Sequence, residues 1–333
     1  MTMRQLLIDN AFRYCEAVCR EASTTFFSSF SALQYDKRRA VHAVYALCRW
    51  VDDIVDGDEE PSILETNSLR EATDARQRII SEIHDGKEPT LPDEEHRRRL
   101  MALVDIRIKI HKAKENEITS SDHPIFIALQ DVFGRFPIKI HDFETVLEGM
   151  EDDLYPVQNK TWDELRSYCY KVASAVGLIL IEIYGYEDRA AQLHAVDLGI
   201  QMQLINVLRD INEDMERGRV YLPLDILASH GISIDDLQRP NVAKSPSWKG
   251  FIIEYVEMIK RHRESANHLF GYLDARARVQ PEIMSDAYQS ILGEIVRRSG
   301  DVFSQPVRLS LWRKVLLGAR LNLRKVKARL FTS

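Results

Sequence analysis

The chain has 333 residues, a formal net charge of -6, 45% hydrophobic and 29% charged residues, a balance that excludes an intrinsically disordered chain and a strongly basic nucleic-acid binder. Its four cysteines, Cys15, Cys19, Cys48 and Cys169, fall into no CxxC or Cys/His spacing, and the first residues lack the basic-then-apolar order of a secretory leader, so reduced thiols in a cytoplasmic protein are expected. No apolar run reaches the roughly 18 residues of a membrane-spanning helix, the nearest being Val176 to Ile183.

Apolar residues recur at helical spacing almost throughout, and the alternating β-branched runs that mark strands are missing, which predicts an all-α fold. Breaks fall at Gly57 to Pro61, Gly86 to Pro92, Ser121 to Pro124, Phe136-Pro137, Tyr155 to Lys160, Gly218 to Pro223 and Arg239 to Ser247. None is long enough to link separate domains, so one domain over 1–333 of about a dozen helices is expected.

The first informative helix runs from Arg38 to Asp56, with an apolar stripe of Ala40, Val41, Val44, Leu47, Val51, Ile54 and Val55. At about 100° per residue, Tyr45, Arg49, Asp52 and Asp56 share a strip about 60° wide that borders this stripe, with Asp53 well outside it. A solvated face would put its charges opposite the stripe. Carboxylates beside the stripe point into a cleft, where they cost desolvation unless paired or bound to metal. The acidic run Asp56 to Glu60 beyond the helix reads as a solvated loop, and it lacks the ligand spacing of an EF-hand.

The second informative helix spans Leu193 to Asp214, with Leu193, Ile200, Leu204, Val207 and Ile211 apolar and Gln203, Asn206, Asp210 and Asp214 within about 80° of arc beside them. Two helices that each present Asp at i and i+4 suit hard divalent cations, because Mg²⁺ takes a couple of carboxylates and fills its remaining positions with water and phosphate oxygens. Arg49, Arg209 and Arg219 beside the acids suit a diphosphate. His42 and His194, on the same helices, read as ordinary surface or satisfied core histidines.

From Asp301 to Ser333 there are eight Lys or Arg against one acidic residue. Leu311, Trp312, Val315 and Leu316 beside Arg313 and Lys314 leave two readings of this tail, a solvated helix face or peripheral contact with anionic lipid headgroups.

These residues resemble the squalene and phytoene synthase family: CRWVDDIVD at Cys48 to Asp56 looks like its first aspartate-rich motif, and QLINVLRDINEDMERGRVYLP at Gln203 to Pro223 like its second. Weaker likeness extends through STTFFSSF at Ser23 to Phe30, YCYKVASAVG at Tyr168 to Gly177 and DVFSQPVRLS near the C-terminus. The resemblance implies the isoprenoid synthase helical fold with a central cavity between the two aspartate-rich helices. It implies a magnesium-dependent prenyltransferase, Mn²⁺ being the substitute metal, that condenses two farnesyl or geranylgeranyl diphosphates head to head. The route would run through a cyclopropylcarbinyl diphosphate to phytoene, dehydrosqualene or squalene, with NADPH needed only for squalene.

Carried over by position, the resemblance assigns Asp52, Asp56, Asp210 and Asp214, supported by Asn206, to Mg²⁺. Ser23, Thr25, Arg49, Gln203, Arg209 and Tyr221 would surround the diphosphates, and Tyr168 would lie near the reacting carbons. Phe26, Phe30, Tyr45, Ala173, Val176, Gly177, Ala195, Leu198 and Met202 would line the hydrocarbon tunnel. An aromatic ring at Phe30, four residues after Phe26, would shorten the tunnel and favour the C15 substrate, whereas the DVFSQPVRLS stretch resembles phytoene-type enzymes, which use C20 substrates. Where family members often carry Ala-Gly-Thr-Val-Gly, this chain carries Ala-Ser-Ala-Val-Gly, with Ser174 and Ala175 at the changed positions. A class I terpene cyclase would show an Asn/Ser/Glu triad in its second motif, and a non-catalytic binding relative would show decayed aspartates. Neither pattern is present.

Overall fold

The computed structural model describes residues 2–22, 24–58, 94–155, 159–239 and 241–330. In chain order the helices are α1 Met3–Ala22, α2 Thr24–Phe30, α3 Tyr35–Asp56, α4 Glu94–Lys114, α5 Pro124–Arg135, α6 Ile140–Asp152 and α7 Trp162–Cys169. A π turn, Tyr170–Ser174, leads into α8 Ala175–Tyr184, and then come α9 Ala190–Arg209, α10 Ile211–Glu216, α11 Leu224–Ser229 and α12 Ile234–Leu237. The remainder is a 3₁₀ turn, Val242–Lys244, followed by α13 Pro246–Ala266, α14 Leu269–Tyr272, α15 Val279–Arg297 and α16 Leu311–Leu330. Among the described residues no strand forms, and a lone bridge joins Tyr186 to Leu273. The all-α expectation therefore holds.

The chain forms two compact units, one of Met1–Ala22 with His42–Tyr155 and one of Ser23–Val41 with Pro156–Ser333. In the first, α1 packs on α5, and α4 on α5 and α6. His123 ties α3 to α5: its ring accepts a hydrogen bond from the Ile125 N–H as the helix N-cap, with Pro124 at the first helical position, and it stacks on Trp50 at 4.5 Å. Every residue of the α3 apolar stripe, from Ala40 to Val55, is buried, as its helical spacing requires.

The second unit is built around α9, which packs against α8 and the π turn on one side and against α13 and α15 on others. Trp248 of α13 anchors this core, fully buried, with its indole N–H donating to the Gly300 carbonyl at 2.9 Å. The apolar run Val176 to Ile183 extends backwards in the structure into a continuous helical stretch, Trp162–Tyr184, that by length and composition is long and apolar enough to cross a membrane. Here it is a partly buried helix of this core, because the side chains that make it apolar are the ones that meet α9. The four cysteines are free thiols.

Packing of the π turn on α9 is unusually close. A Cβ on Gly199 would lie 2.6 Å from the Cα of Ser174 and 2.7 Å from its amide nitrogen, so only glycine permits this approach. Ser174, fully buried, donates its hydroxyl to the Val196 carbonyl at 2.7 Å, which accounts for the serine in the Ala-Ser-Ala-Val-Gly run. Gly199→Ala is therefore expected to force the two elements apart and lower the stability of the unit by about 1–3 kcal/mol; a urea denaturation midpoint equal to that of the wild type would show that the contact is not limiting.

Candidate active site

The first acidic motif occupies the last turns of α3. The helix stops there in a Schellman arrangement, the Asp58 N–H donating to the Asp53 carbonyl at 2.8 Å and the Gly57 N–H to that of Ile54 at 3.3 Å, with Gly57 at φ 80° in the left-handed region that glycine tolerates. Arg99 of α4 donates to the Val55 carbonyl at 3.1 Å. Carboxylates at this end face the negative pole of the helix and cost free energy unless a cation lies nearby.

Arg49 supplies part of that charge, donating to Asp53 at 3.1 Å and to Asp52 at 3.2 Å. The pairing with Asp53 corrects the sequence reading, which set Asp53 apart from the strip. Asp53 lies at i+4 from Arg49, within reach on one helix face, and its carboxylate is the more buried, 21% exposed against 51% for Asp52. Burial raises the Asp53 pKa although Arg49 opposes it. For Arg49, burial lowers the pKa, but Asp53 and Asp52 outweigh it and the net shift is upward. Asp52 and Asp56 occupy the more open side of the turn, both half-buried.

The second motif departs from the expected single helix. Helix α9 ends at Arg209, Asp210 has φ -103° and ψ 14°, and α10 starts at Ile211. The Asp210 N–H still donates to the Asn206 carbonyl at 2.9 Å and the Asp214 N–H to that of Asp210 at 2.9 Å, so the chain bends without losing its ladder. At the bend the Arg209 guanidinium grips the adjacent Asp210 carboxylate through two hydrogen bonds, the Nε one at 2.7 Å. Neighbours about 100° apart on a regular helix cannot pair in this way. Burial lowers the Arg209 pKa, but the bonds to Asp210 raise it further. Leu193, expected in the buried stripe, is 70% exposed, because Ala191, Ala195 and Leu198 take the buried face in that part of α9 and Leu193 lies on the other side.

Just before Asp210, Asn206 donates from Nδ2 to Gln203 Oε1 at 3.0 Å and shares a cavity wall with Tyr288, while its Oδ1 is buried without a hydrogen-bond donor. A buried acceptor left in this state suits a cation ligand, since a missing donor is otherwise costly. Gln203 and Asn206 form the polar end of a cavity of about 230 Å³ between α8, α9 and α15. Ala173, Val176, Gly177, Ala195, Leu198 and Met202, all expected to line a tunnel, are in its wall.

The other end of that cavity was not foreseen. Tyr184 and Gln280 line it, the Tyr184 hydroxyl donating to Gln280 Oε1 at 2.7 Å and Gln280 Nε2 to Ser29 Oγ at 3.3 Å, all three residues buried. In sequence these positions are a polar residue and a tyrosine far apart in the chain, without a motif to link them. Phe30 is buried but does not line this cavity, and neither does Tyr45. Ser23 lies outside the described residues, as do the side chains of Thr25 and Phe26.

Tyr168 and Tyr221, both buried, stack with centroids 4.6 Å apart, so two residues expected at the site are neighbours. A further open depression of about 410 Å³ adjoins Arg209 and Asp210 and brings Arg308 and Lys314 to them; the sequence pointed to Lys314 only as a headgroup contact and did not single out Arg308. Among the described residues no group of three or more His, Cys, Asp or Glu side chains converges on one point. In the sequence Asp52 and Asp56, and Asp210 and Asp214, stand at i and i+4, and two carboxylates with waters and phosphate oxygens in the other positions are a donor set that Mg²⁺ accepts.

The chain is similar to known proteins over most of its length. The squalene/phytoene synthase family model matches residues 19–313. Phytoene synthase 2, chloroplastic, of Solanum lycopersicum is 30% identical over 316 residues, covering 93% of this chain and 89% of the relative. Phytoene synthase of Arthrospira platensis is 28% identical, with 96% and 94% covered. The crystal structure of a dehydrosqualene synthase in complex with ligand superposes with a TM-score of 0.75 at 25% identity, covering 95% of this chain and 96% of that one.

Replacing Arg99 by methionine removes the donor to the Val55 carbonyl, and placing alanine at Gly57 imposes a strained positive φ and a clash with the Arg99 guanidinium. Each change is expected to destabilise the end of α3 by about 1–2 kcal/mol, read as faster amide exchange at Val55 to Asp58. Unchanged exchange would show that the motif is held by other contacts.

Proposed function

The chain belongs to the squalene/phytoene synthase family, prenyltransferases that join two prenyl diphosphates head to head, and from this we propose how its own residues run that reaction. One observation carries the reading: an apolar cavity ends in Gln203 and Asn206, and the Arg209–Asp210 pair follows one helical turn later. A ligand with a hydrocarbon tail and a polyanionic head matches that order of surfaces.

Asp52 with Asp56, and Asp210 with Asp214 and Asn206, would hold Mg²⁺, which when bound neutralises charge on the leaving diphosphate. Arg209, Arg308 and Lys314 would bind diphosphate oxygens in the second motif, and Arg49, which pairs with Asp52 and Asp53, would do so in the first. Gln203 orients the Asn206 amide. Tyr168, which the family resemblance puts near the reacting carbons, stacks on Tyr221, and an electron-rich ring there would stabilise an allylic cation. The double bond of the second substrate attacks this cation, and proton loss closes a cyclopropylcarbinyl diphosphate. A second ionisation and rearrangement gives the linear 1-1′ product, ended by proton loss or by hydride capture from NADPH.

Cavity depth argues for the C15 substrate. Tyr288 and Gln280 mark its two ends on α15, eight residues and so about 12 Å apart along the helix. A prenyl chain advances about 1.3 Å per main-chain bond, so a farnesyl chain reaches about 15 Å and a geranylgeranyl chain about 20 Å. The shorter chain fits with little folding. This moves the expected gate from Phe30 to Tyr184 and Gln280.

The exposed face of α16 supports peripheral contact with an anionic membrane as the destination of a water-insoluble product. Trp312, Val315, Leu316, Leu323, Val326 and Leu330 are each at least half exposed and fall within about 100° of arc on the helix.

Asp52→Asn and Asp210→Asn keep side-chain size and lose the charge; each is expected to lower kcat about 100-fold or more with an unchanged circular dichroism spectrum. Normal Mg²⁺-dependent turnover in both would reject the two-motif assignment. Incubation with each diphosphate, with and without NADPH, followed by mass spectrometry, assigns substrate and ending: squalene made only with NADPH identifies the reductive route, and dehydrosqualene in both identifies proton loss. Gln280→Ala and Tyr184→Leu are expected to raise the C20 to C15 ratio of kcat/KM about tenfold or more. A ratio unmoved in both, or a wild type that converts only the C20 substrate, would overturn the cavity as the length gauge.

A further inference from the structure

The closed end of the substrate cavity is held from outside by one lysine. Lys37 lies in the first turn of α3, half-buried. Its Nζ donates to the Tyr184 carbonyl at 2.5 Å and to Asp274 Oδ2 at 3.2 Å. Tyr184 is the last residue of α8, and Gly185 ends that helix at φ 72°. The last carbonyls of a helix have no amide of their own to meet, so the ammonium satisfies one of them and faces the negative pole of the helix.

Asp274 stands where the chain turns into α15. Its Oδ1 accepts the N–H groups of Arg276 and Ala277, both at 2.8 Å, and its carbonyl accepts the Arg278 N–H at 3.0 Å. Burial raises the Asp274 pKa, but the Ala277 N–H, Lys37 and the Arg276 N–H outweigh it and hold the carboxyl below its ordinary range, so its pair with Lys37 is ionic at neutral pH. Backbone contacts join the same two segments: Tyr186 bridges Leu273, and the Glu187 N–H donates to the Tyr272 carbonyl at 3.1 Å. Lys37 thus ties the exit of α8 to the entry of α15. Tyr184 and Gln280, which close the cavity, are the last residue of α8 and the second of α15.

We propose that Lys37 is a positioning residue for substrate length: by holding the Tyr184 backbone against the turn at Asp274, it fixes where the Tyr184 ring and the Gln280 amide close the cavity. The inference rests on the reading above that these two side chains stop the hydrocarbon tail. Lys37 does not line the cavity and acts through Tyr184. The Tyr184 hydroxyl meets Gln280 at 2.7 Å and Gln280 meets Ser29 at 3.3 Å, and such bonds weaken steeply when length or angle departs from the ordinary range, so both helix ends must stay in register. Without the ammonium the end of α8 is free to move outward, and the cavity admits a longer tail.

The test measures kcat and KM of the full chain with Mg²⁺ on farnesyl and geranylgeranyl diphosphates. Lys37→Met keeps the stem and removes the charge. It is expected to raise the C20 to C15 ratio of kcat/KM about fivefold, mostly through a lower KM for the C20 substrate, and Lys37→Arg to restore the wild-type ratio. Lys114→Met is the control, because Lys114 Nζ also donates to a backbone carbonyl, that of Ile138 at 3.0 Å, and does not line the cavity; it should lower thermal stability to a similar degree and leave the ratio unchanged. In Tyr184→Leu the ring is gone, so adding Lys37→Met is expected to shift the ratio no further. Asp274→Asn keeps the Oδ1 acceptor and removes the charge opposite Lys37; it should move the ratio in the same direction, and it serves as the readout if Lys37→Met does not fold. A ratio moved by Tyr184→Leu but by neither Lys37→Met nor Asp274→Asn would overturn the role of Lys37 and leave the cavity as the length gauge. Shifts that add in the double variant, or an equal shift in Lys114→Met, would do the same. A ratio unmoved by Tyr184→Leu would overturn the gauge itself and this inference with it.

Discussion

The close approach of the π turn to α9 at Ser174 and Gly199 is the contact on which the second unit depends. It brings two backbones together with no side chain between them, and the Ser174 hydroxyl closes the gap by bonding a carbonyl of α9. Because the elements touch at that point, the small side chains around it, Ala173, Gly177 and Ala195, leave a cavity instead of filling it. The wider π turn shifts the register of α8 relative to an uninterrupted helix. That register places Tyr184, at the far end of α8, opposite Gln280. The shape of the hydrocarbon site and its closed end follow from this packing.

Electrostatics at helix ends governs the rest of the site. Asp52, Asp53 and Asp56 crowd the C-terminal turn of α3, and Asp210 stands at the C-terminal end of α9, where the helix dipole opposes negative charge. Arginines offset part of this cost: Arg49 and Arg99 at α3, Arg209 at α9. On the proposed reading each motif takes a divalent cation and, through it, a polyanion, which would offset the remaining charge at these helix ends.

A reaction that turns two water-soluble diphosphates into one hydrocarbon needs a polar entrance and an apolar destination. On the proposed reading these needs fall to different parts of the same helices in the second unit. α15 presents Tyr288 beside Asn206 at one end of the cavity and Gln280 at the other, and its outer carboxylates hold α16. α16 then carries the exposed apolar stripe.

Much of this was legible in the residues themselves. Periodicity reports which side of a helix is buried, so the all-α class, the α3 stripe and the two acidic motifs could be read from spacing alone, and the length of the second motif identified the family. Spacing on one helix also carries local geometry, which is how Asn206 and Gln203 were placed beside Asp210. It failed where the chain leaves ideal geometry or where partners come from distant segments. The bend at Asp210 accompanies a bond between adjacent side chains that a regular helix does not bring together, whereas the Arg49–Asp53 pair is an ordinary i, i+4 contact that the strip left out. Tyr184, Gln280 and Ser29 meet across most of the length of the second unit, as do Lys37 and Asp274. Only the tertiary structure decides such encounters, because no local pattern links residues that become neighbours through the packing of separate helices.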